Sequence, residues 1–561
     1  MLKQCFIGID VGTGSARAGL VAVDGRMIAK ATRDIKTWNT RDDYYEQSSD
    51  DIWQACVECV KDVLAQASAS DGVRKEDVRG LGFDATCSLV VLDEAAAPVT
   101  ISPDSLDNQR NIIVWMDHRA SKEAAEINQT NHNVLNYVGG KVSLEMQMPK
   151  LLWLKRNMQE ACWTRAAHFY DLPDFLTFRA TGSSVRSLCS LVCKWTYMHH
   201  PAHVAANAAT VGWSNSFLQQ VGLDDLATDN YARLGTQVQA PGSPIANGLS
   251  AAAAAELGLL PGTPVATSLI DAHAGGVGAL GARSDASTSV NLPERLALIC
   301  GTSSCHMALS AEPLFVPGVW GPYYSAMVPE LYLNEGGQSA TGKLIDHIIK
   351  RHAAYPELAS QALARQRAPT ALLTETLTVM AARAGVPIAT LSRNVHVLPY
   401  FHGNRSPLAD PSLRGSIVGL SLSETIEDLA VLYLATVQAI AYGTRHILET
   451  MASRGHSITT LVACGGLAKS SLFVQQHADV SGCTILLPKE EESVLLGAAI
   501  LGACGSRHFP SIQDAMASMS GTASTVTPDA TLRSFHEAKF KVFRRMHEDF
   551  LFYRTTMEKT E

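Results

Sequence analysis

Gly12-Thr13-Gly14-Ser15, flanked by Asp10 and Arg17, is the first group of residues whose types and spacing could do chemistry. It joins two apolar runs with strand character, Cys5 to Val11 and Ala16 to Val23, so it forms the turn of a hairpin. Its glycines leave room for a large anion, and its N–H groups and hydroxyls point at one spot, which makes an anion cradle without a lysine. The chain leaves the turn as a strand, so it is neither a Walker loop nor a dinucleotide fingerprint, both of which open a helix. Asp10, at the end of the first strand, could hold Mg²⁺ beside a triphosphate. An ordinary hairpin uses the same residues. The reading moves toward phosphate because the pattern recurs, as Arg295 to Cys300, Gly301-Thr302-Ser303-Ser304 and Cys305 to Leu309.

A second chemical feature is Asp271, between the apolar run Val265 to Ile270 and the small-residue segment Ala272-His273-Ala274-Gly275-Gly276-Val277-Gly278. A carboxylate where a strand ends and a helix begins stands where α/β proteins place catalytic groups, although it is also where a helix is capped. His273 reads as a hydrogen-bonded neighbour, because no second metal ligand stands at helical spacing from it. His199, His200 and His203 lack acidic or Cys partners and read as a loop. Gly337 to Leu344 nearly matches a Walker loop, but Leu344 replaces the required Ser or Thr.

These residues need elements to place them. The spacing predicts a helix from Asp50 to Gln66 with Ser49 or Asp50 as N-cap, and strands at Val78 to Asp84 and Ser88 to Leu92. Further helices are predicted at Ser250 to Leu257, Ser339 to Arg351, Thr425 to Met451 and Ser493 to Leu501, with strands at Val265 to Ile270 and Thr460 to Cys464. Strands alternate with helices, so the class is α/β. The repeated hairpin implies two similar lobes, 1–285 and 290–507, divided between Gly281 and Pro293. Residues 508–561 form a helical tail whose Phe540, Phe543, Met546, Phe550 and Tyr553 recur at the spacing of a docked helix.

The 561 residues are 46% hydrophobic and 18% charged, too long for one core and too apolar for a disordered polymer. A formal charge of −8 argues against a broad nucleic-acid or anionic-membrane surface. Twelve scattered cysteines read as reduced thiols of a cytoplasmic protein, with Cys56 and Cys59 on the apolar face of a helix. The chain enters a strand at once, leaving no room for a signal peptide, and Val494 to Cys504 is about half the length of a membrane span, which takes about 20 residues.

The ordered set Gly8-Ile9-Asp10-Val11-Gly12-Thr13-Gly14-Ser15-Ala16-Arg17, Trp115-Met116-Asp117-His118-Arg119, Asp271-Ala272-His273-Ala274-Gly275, Gly301-Thr302-Ser303, Gly337-Gln338-Ser339 and Gly465-Gly466 with Gln475, Ala478 and Asp479 resembles the FGGY carbohydrate kinases of the actin-like ATPase superfamily. The resemblance implies two ribonuclease-H-like lobes around a cleft, ATP and Mg²⁺ as cofactors, a small-molecule sugar as substrate and no nucleic-acid or membrane partner. It leaves a homodimer open. Asp271 falls on the family's catalytic base and, with Asp10, near the metal. Gly12, Thr13, Ser15, Arg17, Gly301 and Thr302 match its phosphate turns, and Gly342, Gly465 and Gly466 its adenosine pocket. Ser470 joins the ATP set where many members carry Asn and this chain has Lys469-Ser470.

Thr86-Cys87-Ser88-Leu89-Val90, after Asp84-Ala85, resembles the short motif of the D-ribulokinase branch, Lys194-Trp195 and Glu335 resemble positions where such kinases hold sugar hydroxyls, and Asp117 would be another hydroxyl acceptor. The implied reaction is phosphorylation of D-ribulose at position 5. Other pentuloses or polyols (L-ribulose, ribitol, xylulose) and a non-catalytic sugar-binding protein on the same lobes are the alternatives.

Overall fold

Buried from end to end, β1 (Cys5–Val11) is the central strand of the first sheet. The turn after it folds β2 (Ser15–Ala22) back antiparallel, and β3 (Met27–Asp34) follows antiparallel to β2. The helix α1 (Ser49–Asp71) then crosses over, and β4 (Val78–Ala85) returns parallel to β1. Far along the chain β5 (Leu269–Ile270) joins parallel to β4, giving the order β5-β4-β1-β2-β3. The computed structural model describes residues 4–201, 212–228, 230–285 and 290–558. The expected lobe boundary at 285–290, and Ala202 and His203 of the histidine-rich loop, fall outside or at the edge of these.

The second sheet repeats the plan. β6 (Arg295–Cys300) is central, β7 (Ser304–Ser310) folds back from it, and β9 (Tyr332–Gln338) lies beside β7 with β8 (Trp320–Tyr324) at the edge. β10 (Thr460–Cys464) and β11 (Thr484–Pro488) are parallel to β6, giving the order β8-β9-β7-β6-β10-β11-β12 with β12 (Ala523–Val526) antiparallel at the far edge. Both lobes therefore share a three-stranded antiparallel half and a parallel half, as two ribonuclease-H-like lobes require.

Several elements differ from their expected bounds. α1 runs past Gln66 to Asp71, because Ser48 caps its start by accepting from Asp51 N–H and Gly72, in a left-handed conformation, ends it. Val265 to Ile270 pairs regularly only at Leu269–Ile270. The preceding residues divide their hydrogen bonds between Leu81 on one side and Ser243 and Ile245 on the other. Residues 508–561, expected as a helical tail, also supply β12. The terminal helix Arg533–Glu558 buries Phe540, Phe543 and Met546 beside Tyr400 and Tyr442, while Tyr553 is exposed.

The lobes trade helices. α3 (Asp271–Leu280) leaves β5 of the first sheet and lies against β6 and β10 of the second. α6 (Ser493–Gly505), from the C-terminal half of the chain, lies on β1 and β4 of the first sheet and crosses α3. Its backbone rests directly on the strands: a Cβ on Gly8, Gly80 or Gly82 would overlap the carbonyl oxygen of Leu495, Gly502 or Ala498 respectively. α3 and α6 cross as closely, with Gly497 against the Ala274 carbonyl and Gly278 against that of Ser493. The long apolar helix Ile426–Ala452 meets the length and composition of a membrane span, but most of it is buried inside the protein.

Candidate active site

Strand register gathers three carboxylates. Asp10 on β1 lies opposite Asp84 on β4, and β5 sets Leu269 opposite Asp84, so Asp271, two residues on, emerges beside them at the start of α3. Asp10 and Asp84 are fully buried. Arg17 pairs with Asp10, but among the described residues neither oxygen of Asp84 has an outside hydrogen-bond donor. Burial, then the charges of Asp10 and Asp271, push the Asp84 carboxyl well above the usual range. Burial also raises Asp10, against the lowering pull of Arg17. Buried oxygens without donors suit a hard divalent cation such as Mg²⁺.

Asp271 accepts from the N–H of Ala272 at 2.7 Å through Oδ1, leaving Oδ2 for another partner. Burial and then the Asp10 charge raise its pKa to about 6, against the Ala272 N–H, His273 and Lys194. It is poised to take a proton near neutral pH.

The two hairpin turns are built alike. Gly12 N–H donates to Ser15 O at 3.0 Å, and Gly301 N–H to Ser303 O at 2.8 Å. The first is braced by Trp115 Nε1, which donates to Thr13 Oγ1 at 2.9 Å, and by Gln47 Nε2, which donates to Thr13 O at 2.7 Å. The second is braced by two more of the expected glycines. Gly342 N–H donates to Gly301 O at 3.1 Å, and Gly465, at φ +94°, lies against the carbonyl of Cys300 with no room for a Cβ. Gly465 and Gly466 are exposed beside this turn. Ser470 caps a short helix through Phe473 N–H, which occupies its hydroxyl.

A group of charges lies against α3. Lys194, buried at the end of α2 (Leu188–Lys194), reaches Glu145 at 3.7 Å and lies 4.4 Å from the centre of the Trp320 ring. The next residue, Trp195, is pinned by Nε1 donating to Asp171 at 2.8 Å. Arg405 stacks on Trp320 at 4.3 Å and donates to Glu335 at 3.0 Å. Burial opposes the Glu335 charge, but Lys194, His273 and Arg405 hold its carboxyl well below the usual range. Glu335 Oε2, His273 Nε2 and Arg405 Nε retain unused hydrogen-bonding capacity, as the rim of a polyol site would. Ala85 ends β4, Thr86 N–H donates to Val11 O at 2.9 Å, and Cys87 is close enough to Lys194 to feel its charge.

Asp117 is a correction. The structure buries it and commits its carboxylate to Arg119 through four hydrogen bonds of 2.8–3.0 Å and to Tyr45 N–H at 2.7 Å, so no sugar hydroxyl has an oxygen to reach. Asp84, Glu145 and Arg405 are the charged residues that sequence reasoning passed over. Asp84 had a signal, as the last acid of a predicted strand parallel to β1. Arg405 and Glu145 lie in irregular segments without periodicity.

Models of the FGGY family of carbohydrate kinases match the chain twice, the N-terminal domain over residues 5–278 and the C-terminal domain over 296–506. The chain belongs to the FGGY family of carbohydrate kinases. This FGGY kinase is 52% identical to a human FGGY carbohydrate kinase domain-containing protein, over 97% of this chain and 96% of the relative. It is 39% identical to a D-ribulokinase of Saccharomyces cerevisiae, over 90% of this chain and 72% of the relative. A solved xylulose kinase from Rhodospirillum rubrum shares the fold at a TM-score of 0.77 and 22% identity, covering 98% of this chain and 99% of its own. The FGGY kinase is thus a sugar phosphotransferase, in a family that uses ATP.

Proposed function

We propose that this kinase transfers the γ-phosphoryl group of MgATP to the 5-hydroxyl of D-ribulose. The observation that carries the reading is Asp271, one oxygen unoccupied, beside the Lys194, Glu335 and Arg405 charges. Likeness to the yeast D-ribulokinase supports a pentulose, and the choice of carbon rests on the resemblance of Ala85 to Cys87 to that branch. Asp271 accepts the hydroxyl proton as the oxygen attacks phosphorus. N–H groups of Thr13, Gly14 and Thr302, with Arg17, hold the donor phosphates, while the Gly12 and Gly301 N–H groups close their own turns. Asp10 and Asp84, with Asp271 alongside, hold Mg²⁺, which when bound neutralises phosphate charge. Glu335, Lys194 and Arg405 orient the sugar, and an analogue with a misdirected hydroxyl leaves them unpaired. All twelve cysteines are free thiols, which supports a reducing, cytoplasmic setting.

Coupled ADP release against D-ribulose, L-ribulose, D-xylulose, ribitol and glycerol, with phosphorus NMR of the product, tests the substrate. Selective turnover of D-ribulose to its 5-phosphate is expected. Faster turnover of another polyol would falsify the substrate while keeping the kinase. The pH profile tests the base: Asp271 must be ionised to accept a proton, so kcat/KM is full above about pH 6 and falls as pH drops through it. A profile without this acid limb speaks against Asp271.

Asp84→Asn separates stability from function. It removes a buried carboxyl whose folded pKa lies above its unfolded one, a group that costs stability at neutral pH, so Mg²⁺-free protein should gain about 1 kcal/mol of stability, seen as a higher thermal midpoint. It should also raise the Mg²⁺ concentration for half-maximal activity by about tenfold, the scale of a lost cation ligand. An unchanged Mg²⁺ requirement sinks the role of Asp84.

A further inference from the structure

Behind the charges assigned to the sugar lies a cluster that phosphoryl transfer does not use. Cys189 and Cys193 stand one turn apart on α2, so their sulfurs share a face. That face meets the first turn of α3 at His273, whose Nδ1 lies 3.4 Å from Cys189 Sγ. The two sulfurs and a ring nitrogen all fall within 4.8 Å of one another, and all three residues are buried. Zinc bonds of about 2.0–2.3 Å set tetrahedral ligands about 3.3–3.8 Å apart, so side-chain shifts of an ångström or less close the group on an ion. The other ring nitrogen, Nε2, faces Glu335 Oε2 at 3.4 Å, the carboxylate-to-imidazole arrangement that orients a metal-bound histidine. Two thiol sulfurs and an imidazole are soft ligands, unlike the oxygen-only group of Asp10 and Asp84, so the two sites sort cations by chemistry.

We propose that Cys189, Cys193 and His273 form a second metal site, for a soft cation of the zinc and cadmium class, and that an ion there inhibits the kinase. Its fourth ligand position is filled by water. The ion draws together the Lys194 end of α2 and the His273 turn of α3, and so pulls on the two residues that flank Glu335. The inhibitory half rests on the function proposed above; binding does not.

The test uses the full chain, treated with chelator and titrated with Cd²⁺ without substrate. One equivalent should raise thiolate-to-metal charge-transfer absorption in the ultraviolet. Cys189→Ser and Cys193→Ser should each remove most of it, while Cys56→Ser, altering another close thiol pair, keeps it. X-ray absorption of the zinc-loaded wild type needs no variant, and should show two sulfurs with nitrogen or oxygen making up the rest. No band in the wild type, a band surviving in both variants, or an oxygen-and-nitrogen shell overturns the site. Zn²⁺ should then depress turnover of whichever sugar proves to be the substrate at least tenfold, reversibly by chelator, with Cys193→Ser resistant. Binding without this inhibition overturns the coupling to the sugar pocket and leaves the site standing.

Discussion

Asp271→Ala should lower kcat by about 10³-fold, the usual share of a positioned general base, while the dissociation constants for nucleotide and sugar change little. The asymmetry follows from geometry. Asp271 is held by one backbone N–H, while the turns at Gly12 and Gly301 and the Lys194, Glu335 and Arg405 group are held by contacts that do not pass through it. The lost interaction is one made in the transition state, so kcat and kcat/KM fall together. Asp271→Asn should be as impaired, because an amide has the shape but no basicity. Calorimetric binding alongside single-turnover kinetics checks both halves. Full turnover in either variant removes Asp271 from the chemistry, and lost sugar binding recasts it as a substrate contact.

Gly82→Ala should be strongly destabilising. A methyl group there overlaps the Ala498 carbonyl and lies 2.9 Å from both the Gly502 nitrogen and the Leu501 Cβ, so two of its three neighbours are backbone. No rotamer change relieves such a clash. α6 must lift from the sheet and give up its packing on β1 and β4, which puts the cost at about 3 kcal/mol or more, the upper end for overpacked cores. Gly72→Ala is the control: its φ of +61° strains an alanine, but nothing lies within 4 Å, so it should lose only about 1 kcal/mol. Thermal denaturation of the two variants ranks them. Equal midpoints for Gly82→Ala and wild type would show that the seam yields, contrary to its backbone contacts.

What was legible in the sequence was what is local. Asp10, its turn, the second turn at Gly301 and the placing of Asp271 between strand and helix are all carried by neighbours in the chain. Asp84 needed register: the strand was readable, but that it lies opposite Asp10 emerges only when β1 and β4 pair. Glu335 and Arg405 meet across 70 positions, with Arg405 in a segment of no regular period. The resemblance of Trp115-Met116-Asp117-His118-Arg119 makes Asp117 a hydroxyl acceptor, and nothing in the residue type says that Arg119, two positions on, turns back onto it. α6 was legible as an apolar helix too short to span a membrane, but that it packs on the sheet of the first lobe emerges only with the fold. His273 lacked metal partners at helical spacing on its own helix because the cysteines come from another, 84 and 80 positions away.

The crossing of α3 and α6 has a mechanical consequence. The helices touch backbone to backbone at Gly278 and Gly497, where no side chain stands between them. Such a contact would serve as an axle for a rotation of one lobe against the other. Asp271 begins α3, close to the axle, where any rotation moves atoms least. The turns at Gly12 and Gly301 belong to opposite sheets, so a rotation about the crossing changes the gap between them. Closing the cleft would therefore bring the two phosphate turns together beside a base that is already placed at the start of α3.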